Sequence, residues 1–461
     1  MADSLEQRPF DNFRVTITDP PYFFGRNHLL AAVQRSPFQV RILLGGRRVG
    51  KTSLLRAVEW NLLKLDTNKA AHSAEPANQL AAAKARTGWV QKLFPTFAKL
   101  APQSTSEQTS SPQKQARPDE TRAFPVFMSL QVEQPKDLDS FRYLLIARLR
   151  EAMNRWRSVP VAALREQYRQ FLSQVAGGEV TVGFLSTINL KVNVKNPSYE
   201  KRLPHDDFRK ALLETINELR TWQFDGVCFL LDGSEFVVSQ SWANDAWSYL
   251  RGLKDTDTAL KPFIGFLFSG YRNLKDYQQA VGSPLLNIAE VDWLTALTPA
   301  ETQALIEQRC QEESLELAEA DIRTVTEWAG GHPYLTQQLL NCLFDAYQKD
   351  HHSVESLKHE LLRQHDRDFS AWWHDPQRPY SLGDTERAVY RALVECRQES
   401  TESLAQQTGF SYGEVADALE VLIGTGVIQK VADESWAIGA RLFEEWVVQQ
   451  KPEPHPEASM S

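Results

Sequence analysis

Gly45-Gly46-Arg47-Arg48-Val49-Gly50-Lys51-Thr52 fits the phosphate-binding pattern G-x-x-x-x-G-K-[ST] at every fixed position. Gly45 and Gly50 permit backbone conformations that a Cβ forbids, so successive N–H groups can curl round phosphates at a helix N-terminus. Lys51 is expected to reach the β and γ phosphates, and the Thr52 hydroxyl to ligate Mg2+. The flanks agree. Phe38 to Leu44 reads as a buried strand, and Ser53 to Leu63 carries apolar residues at helical spacing. Strand, loop and helix in that order imply a nucleoside triphosphate site along residues 45–53.

Downstream, Val227 to Asp232 is five apolar residues ending in an aspartate. A parallel sheet delivers such a carboxylate to its C-terminal edge, where it can hold the water shell of Mg2+. A strand-ending aspartate is more often a turn residue, but behind a phosphate loop the metal role is the expectation. The run continues Asp232-Gly233-Ser234-Glu235, and Glu235 is the only carboxylate close by. Phe263 to Phe268 reads as a further strand, ending in Ser269-Gly270-Tyr271-Arg272. Polar residues at that tip are placed to touch a γ-phosphate or its water, with Arg272 the candidate charge stabiliser and an exposed turn arginine the alternative. Phe124 to Leu130 and Ile288 to Leu294 supply two more strands, residues 137–157 and 206–222 supply helices, and 180–194 alternates with period two like a hairpin. The expected class is α/β.

Leu297-Thr298-Pro299-Ala300-Glu301 is a helix start, with a threonine cap, proline at the first position and glutamate at the third. The pattern stays helical to about residue 365, broken by Ala329-Gly330-Gly331-His332-Pro333-Tyr334-Leu335. Gly25-Arg26, the phosphate loop, Asp232, the Leu-Thr-Pro start and Gly-Gly-His-Pro-Tyr-Leu, in this order over roughly residues 22–348, resemble the archaeal-type ATPases related to AAA+ and STAND proteins. The resemblance implies a P-loop NTPase fold with an ASCE-type parallel sheet, a helical lid, and ATP with Mg2+ as ligands. It also implies that Arg26 and Pro333 lie around the adenine and ribose. Asn27 replaces the acidic residue usual after the arginine. In most relatives a glutamate directly follows the strand aspartate and polarises the attacking water; here Gly233 stands in that place. Either the loop folds so that Glu235 reaches the γ-phosphate, or hydrolysis is slow and the chain chiefly senses occupancy.

At 461 residues, 42% hydrophobic and 24% charged, the composition is that of a soluble globular chain of two or three domains. No stretch approaches the roughly eighteen apolar residues of a membrane span, and the first residues lack a signal-peptide pattern, so the expectation is cytoplasmic, with no membrane contact. Cys228, Cys310, Cys342 and Cys396 are widely spaced and read as reduced core residues; His351-His352 reads as a solvated pair. The net charge of −8 provides no overall footprint for nucleic acid.

The expected organisation is an N-terminal segment 1–21, a P-loop ATPase core 22–296, a helical lid 297–368, a linker 369–380, a winged helix 381–448 and a disordered tail 449–461. Within the core, residues 66–121 are rich in Ala, Ser, Gln, Lys and Pro and read as a low-complexity insertion with one short helix near Trp89 to Leu100. In the C-terminal domain, helices at 384–394, 403–408 and 411–423 precede a two-stranded wing. Residues 384–447 carry five basic and twelve acidic side chains, and the 411–423 helix has three acids and no Lys or Arg. That sign repels DNA phosphates, so a DNA role is disfavoured. The domain is expected to pack on the ATPase module or another protein through Trp436, Phe443 and Trp446. The reading is an ATP-binding, slowly hydrolysing conformational switch or assembly module, with a protein partner or a second copy of the chain. Its rival is an ATP-regulated DNA-binding regulator or loader.

Overall fold

The computed structural model describes residues 23–63, 121–158, 203–280, 285, 288–312, 315–348, 354–375, 380–432 and 435–450. The expected helix near 89–100, the hairpin at 180–194, the 351–352 pair, segment 1–21 and most of the tail lie outside them.

Five strands, β1 (Val40–Leu44), β2 (Ala123–Ser129), β3 (Gly226–Asp232), β4 (Ile264–Gly270) and β5 (Ala289–Trp293), form one sheet in the order β2-β3-β4-β1-β5, with all neighbours parallel. A sheet covered on both faces needs apolar residues at successive positions, and β1 and β4 are buried throughout. Helices α1 (Asn27–Arg35) and α2 (Lys51–Leu63) cover one face: Leu29, Val33, Leu54 and Val58 pack on Leu43, Cys228, Leu230 and Leu267. Helices α3 (Leu138–Ser158), α4 (His205–Thr221) and α5 (Ala243–Asp255) cover the other, where Phe141, Phe208 and Trp247 meet Ile42, Leu44, Phe229 and Phe266. The register sets Ser129 beside Asp232 and Leu43 beside Ser269. The strand ends that carry chemistry therefore reach a common edge. From the tip of β4, α6 (Arg272–Ala280) departs.

Beyond β5 come α7 (Pro299–Glu312), α8 (Glu319–Ala329), α9 (Pro333–Gln348) and α10 (Val354–Trp373). The winged helix follows as α11 (Asp384–Cys396), β6 (Gln398–Ser400), α12 (Thr401–Thr408), α13 (Tyr412–Thr425), β7 (Ile428–Ala432), β8 (Ser435–Ile438) and α14 (Arg441–Gln449), its three strands ordered β6-β8-β7. The chain is thus an α/β P-loop NTPase fold with a helical lid and a C-terminal winged helix.

Residues 369–373, read from sequence as the start of a linker, are the last turn of α10. Their spacing explains it. Phe369, Trp372 and Trp373 fall at i, i+3 and i+4, one helical face, and all three are buried. Phe369 and Trp372 meet Phe443 at centroid distances of 5.3 and 5.9 Å, and Trp373 meets Tyr390 at 5.9 Å. Trp446 stacks on Phe443 at 6.0 Å and donates its indole N–H to Asp366. Lid and winged helix consequently share one hydrophobic core. Each buried aromatic stabilises by on the order of 2 kcal/mol, so this joint is as firm as a domain interior. Phe443 and Trp446 are anchors expected; Trp436, partly buried against the same core, donates its indole N–H to the Thr401 hydroxyl at the start of α12 at 3.1 Å. No described helix is long and apolar enough to cross a membrane.

Candidate functional site

The loop between β1 and α2 turns on a left-handed glycine. Gly50 takes φ +97°, a left-handed value closed to most side chains, and Leu54 donates to the Gly50 carbonyl as α2 begins. Lys51 opens α2 and turns back over the loop, donating from Nζ to the carbonyls of Gly45 at 2.8 Å and Gly46 at 2.7 Å. Its ammonium also lies 3.8 Å from the ring centroid of Tyr271. Burial pushes the Lys51 pKa down to about 8, while the carboxylates of Glu235 and Asp232 hold it up. Val49 is fully buried and Ser53 half-buried in the first turn of α2.

Thr52 and Asp232, 180 residues apart, come together: the Thr52 hydroxyl donates to Asp232 Oδ2 at 2.8 Å. The other Asp232 oxygen accepts from the Ser269 hydroxyl. One carboxylate at the mouth of the loop is thus held by the hydroxyl that follows Lys51 and by the tip of β4. Among the described residues there is no group of three or more His, Cys, Asp or Glu that would cage a metal. A magnesium ion here would take Thr52 and Asp232 from the protein and its remaining oxygens from phosphate and water.

Gly233, the departure from the usual pattern, has a structural reason. It adopts φ +69°, and a Cβ there would lie 2.7 Å from the Gln131 side chain. The tight turn carries Glu235 back into the site, where Gln131 donates to Glu235 Oε1 at 2.5 Å. Among the described residues, the buried Oε2 has no hydrogen-bond partner. Burial raises the Glu235 pKa, opposed by Lys51 and the Gln131 bond and reinforced by Asp232. A buried acceptor oxygen lacking a donor, in a charge cluster with Lys51 and Asp232, fits a site completed by an additional donor such as water. Gln131 was missed by sequence reasoning, because a single polar residue after a strand carries no spacing signal.

Arg272, at the tip of β4, is held by carboxylates. Its guanidinium pairs with Glu386 of α11 and with Asp276 one turn on. In this arrangement the strand-tip group facing Lys51 is Tyr271. Arg26, at φ +58° ahead of α1, is buried and staples three elements: its guanidinium donates to the Val49 carbonyl at 2.7 Å and the Thr295 carbonyl at 3.0 Å, while its backbone N–H donates to Glu301. Burial lowers its pKa to about 10, with Glu301 acting the other way. Pro333 is half-buried at the first position of α9 behind Gly330 and Gly331, both at positive φ. Next to it His332 is fully buried, stacked 5.1 Å from Trp372, and its pKa is driven down to about 3, chiefly by burial.

The winged helix closes over this edge. The Gly46 N–H donates to the Gly424 carbonyl at the end of α13 at 2.8 Å, Gly424 lies against the Trp293 ring, and Lys275 of α6 pairs with Glu420 of α13 at 2.8 Å. Arg272–Glu386 adds a second bridge. Two acids of the winged helix therefore serve internal docking.

No protein-family model matches the chain, and no curated protein does. Among solved structures, the Walker-type ATPase of Pyrococcus abyssi aligns at 15% identity, covering 94% of this chain and 98% of its own, with a TM-score of 0.46. The ORC2 protein of Aeropyrum pernix in its ADPNP–ADP complexes aligns at 12% identity, 95% and 97% coverage and TM-score 0.41. The Aeropyrum pernix ORC1 protein in complex with DNA aligns at 13% identity, 92% coverage of each chain and TM-score 0.36. With these scores below 0.5, the fold assignment rests on this chain's own strand order, phosphate loop, lid and wing.

Proposed function

We propose that this protein binds ATP with Mg2+ along Gly45–Thr52 and uses occupancy of that site to set the position of the lid and winged helix against the sheet. The observation that carries the reading is the meeting of the Thr52 hydroxyl with Asp232 at 2.8 Å, beside a buried Lys51. Each residue has a definable part. The loop amides and Lys51 hold the phosphates, with the ammonium exchanging the Tyr271 face for phosphate oxygen. Bound between Thr52, Asp232 and the phosphates, Mg2+ would supply positive charge where negative charge develops. Glu235 Oε2 accepts a hydrogen bond from the attacking water, and Gln131 fixes the direction of that carboxylate. Arg26 ties the loop to the start of the lid, and Pro333 borders the base on the lid side.

Hydrolysis is slow in this reading, since Glu235 arrives by a displaced turn and the arginine at the tip of β4, Arg272, is paired with Glu386 and Asp276. The winged helix acts as the moving arm. Its docking through Glu386 and Glu420 favours this role over DNA reading, because the acidic surface has a use within the chain. A protein partner or a second copy of the chain would then bind the released arm. Lys51→Ala tests the core of the proposal: calorimetric titration should show Mg-ATP binding in the wild type and none in a folded variant. Equal affinities would refute it.

A further inference from the structure

Besides Lys51, the phosphate loop carries two more cations. Arg47 and Arg48 project from its middle, each about one-third exposed at 36% and 33%, and both turn to Asp368 on α10. Arg48 lies 3.2 Å from one carboxylate oxygen and Arg47 3.8 Å from the other. Tyr334 donates its hydroxyl to Asp368 at 3.0 Å, and its ring lies 4.1 Å from the Arg48 guanidinium. Arg47 also donates to the Tyr380 hydroxyl at 2.9 Å. Tyr380 packs at 5.3 Å on Tyr271, the ring that covers Lys51.

The charges do not balance. Two guanidiniums share one carboxylate, and the nearby His365 is kept neutral by burial, its pKa pushed down to about 4. Among the described residues the cluster is short of an anion. Arg48 holds φ +64°, a conformation that non-glycine residues rarely adopt, so the loop presents this side chain at a backbone cost.

We propose that Asp368 is a displaceable latch, holding Arg47 and Arg48 to α10 until the terminal phosphate of a bound nucleoside triphosphate competes for them. The inference rests on the nucleotide reading of the loop. Guanidinium forks match phosphate oxygens as well as they match a carboxylate, and a triphosphate brings more charge than a diphosphate. The two arginines thereby become the residues that tell a triphosphate from a diphosphate. Asp368 and Tyr380 sit on the segment leading into the winged helix, so loss of their arginines loosens that segment from the loop.

The test uses the full chain, with ATP and ADP titrated by calorimetry and hydrogen exchange of residues 44–50 followed without nucleotide. Asp368→Asn keeps shape and removes the competing charge. ATP affinity should rise about tenfold, ADP affinity by less than twofold, and loop exchange in the free protein should quicken. Arg48→Gln should lower ATP affinity and spare ADP; it carries the test alone if Asp368→Asn folds poorly. Equal gains for both nucleotides, or unchanged affinities in both variants, would overturn the latch and leave Asp368 a fixed strut. Lys51→Ala separates the levels: if it binds ATP like the wild type, the nucleotide reading has failed, and if it loses binding while Asp368→Asn changes nothing, only the latch has failed.

Discussion

Gly46→Ala is the substitution that separates docking of the winged helix from binding of phosphates. Gly46 has no conformational need for glycine, because its φ lies outside the left-handed region that Gly50 occupies. Its need is spatial: a Cβ would sit 2.8 Å from the Thr425 Cα and 3.1 Å from the Thr425 Cβ. The Cα is α13 backbone and the Cβ is fixed directly to it, so neither can rotate away and α13 must retreat. Retreat stretches the 2.8 Å bond from the Gly46 N–H to the Gly424 carbonyl, worth about 1 kcal/mol net. Overpacking adds roughly 1–3 kcal/mol. Against the docked state this totals about 2–4 kcal/mol, at least as large as the up to about 1 kcal/mol that an exposed pair such as Lys275–Glu420 supplies, so the docked population should fall. The expected result is an enlarged radius of gyration by small-angle scattering and faster hydrogen exchange at 424–426, with ATP affinity within about threefold of wild type. Unchanged scattering and exchange would refute the argument, and so would a loss of ATP binding as complete as that of Lys51→Ala.

Three further outcomes are expected. His332 and His365 have folded-state pKa values of about 3 and about 4 against 6.5 unfolded, so the folded state binds fewer protons. Stability should therefore fall as pH drops below 6.5, by up to about 1.4 kcal/mol per pH unit for each imidazole. Urea midpoints at pH 7 and 5 measure this, and a His365→Leu variant whose midpoint drops as much as wild type would contradict it. Glu235→Gln should bind Mg-ATP normally and cut turnover at least tenfold from a rate already well below the roughly 10 s⁻¹ typical of enzymes; equal phosphate release by the two proteins would remove Glu235 from the chemistry. The full chain should show no salt-dependent affinity for duplex DNA, and sub-micromolar binding that weakens steeply with salt in a fluorescence titration would favour the regulator reading instead.

What could be read from the chain was whatever short-range pattern encodes. The phosphate loop, the strand ending in Asp232 and the Pro299 helix start are contiguous stretches, and each reappears as an element with the expected neighbours. The positions that resisted reading depend on contacts between distant segments. Gly46 looks like one variable place in a loop motif, and its glycine is explained only by Thr425, nearly four hundred residues later. The odd Asp232-Gly233 step makes sense once Gln131 is seen filling the space a side chain would need. Arg272 carried the right residue type at the right strand tip, yet Glu386, more than a hundred residues away, takes its guanidinium. Phe369, Trp372 and Trp373 read as linker because proline-rich sequence follows at once, although their spacing already marked a helical face.

The shared aromatic core of lid and winged helix fixes how many pieces this machine has. Because Phe369, Trp372 and Trp373 are interleaved with Tyr390 and Phe443, the chain from α7 to α14 is one stiff lever. It is joined covalently to the sheet by a single strap at 294–298, whose ends are pinned by Leu294 donating to the Leu44 carbonyl and Leu297 donating to the Gly331 carbonyl. A lever on one strap has few ways to move. Its contacts with Gly46, Arg272 and Lys275 are all carried by the same rigid arm, so a displacement of that arm breaks them together. In the proposed switch, release would then be all-or-none in each molecule, and a graded supply of nucleotide would be read out as a changing proportion of two discrete shapes rather than as a continuum of intermediate angles.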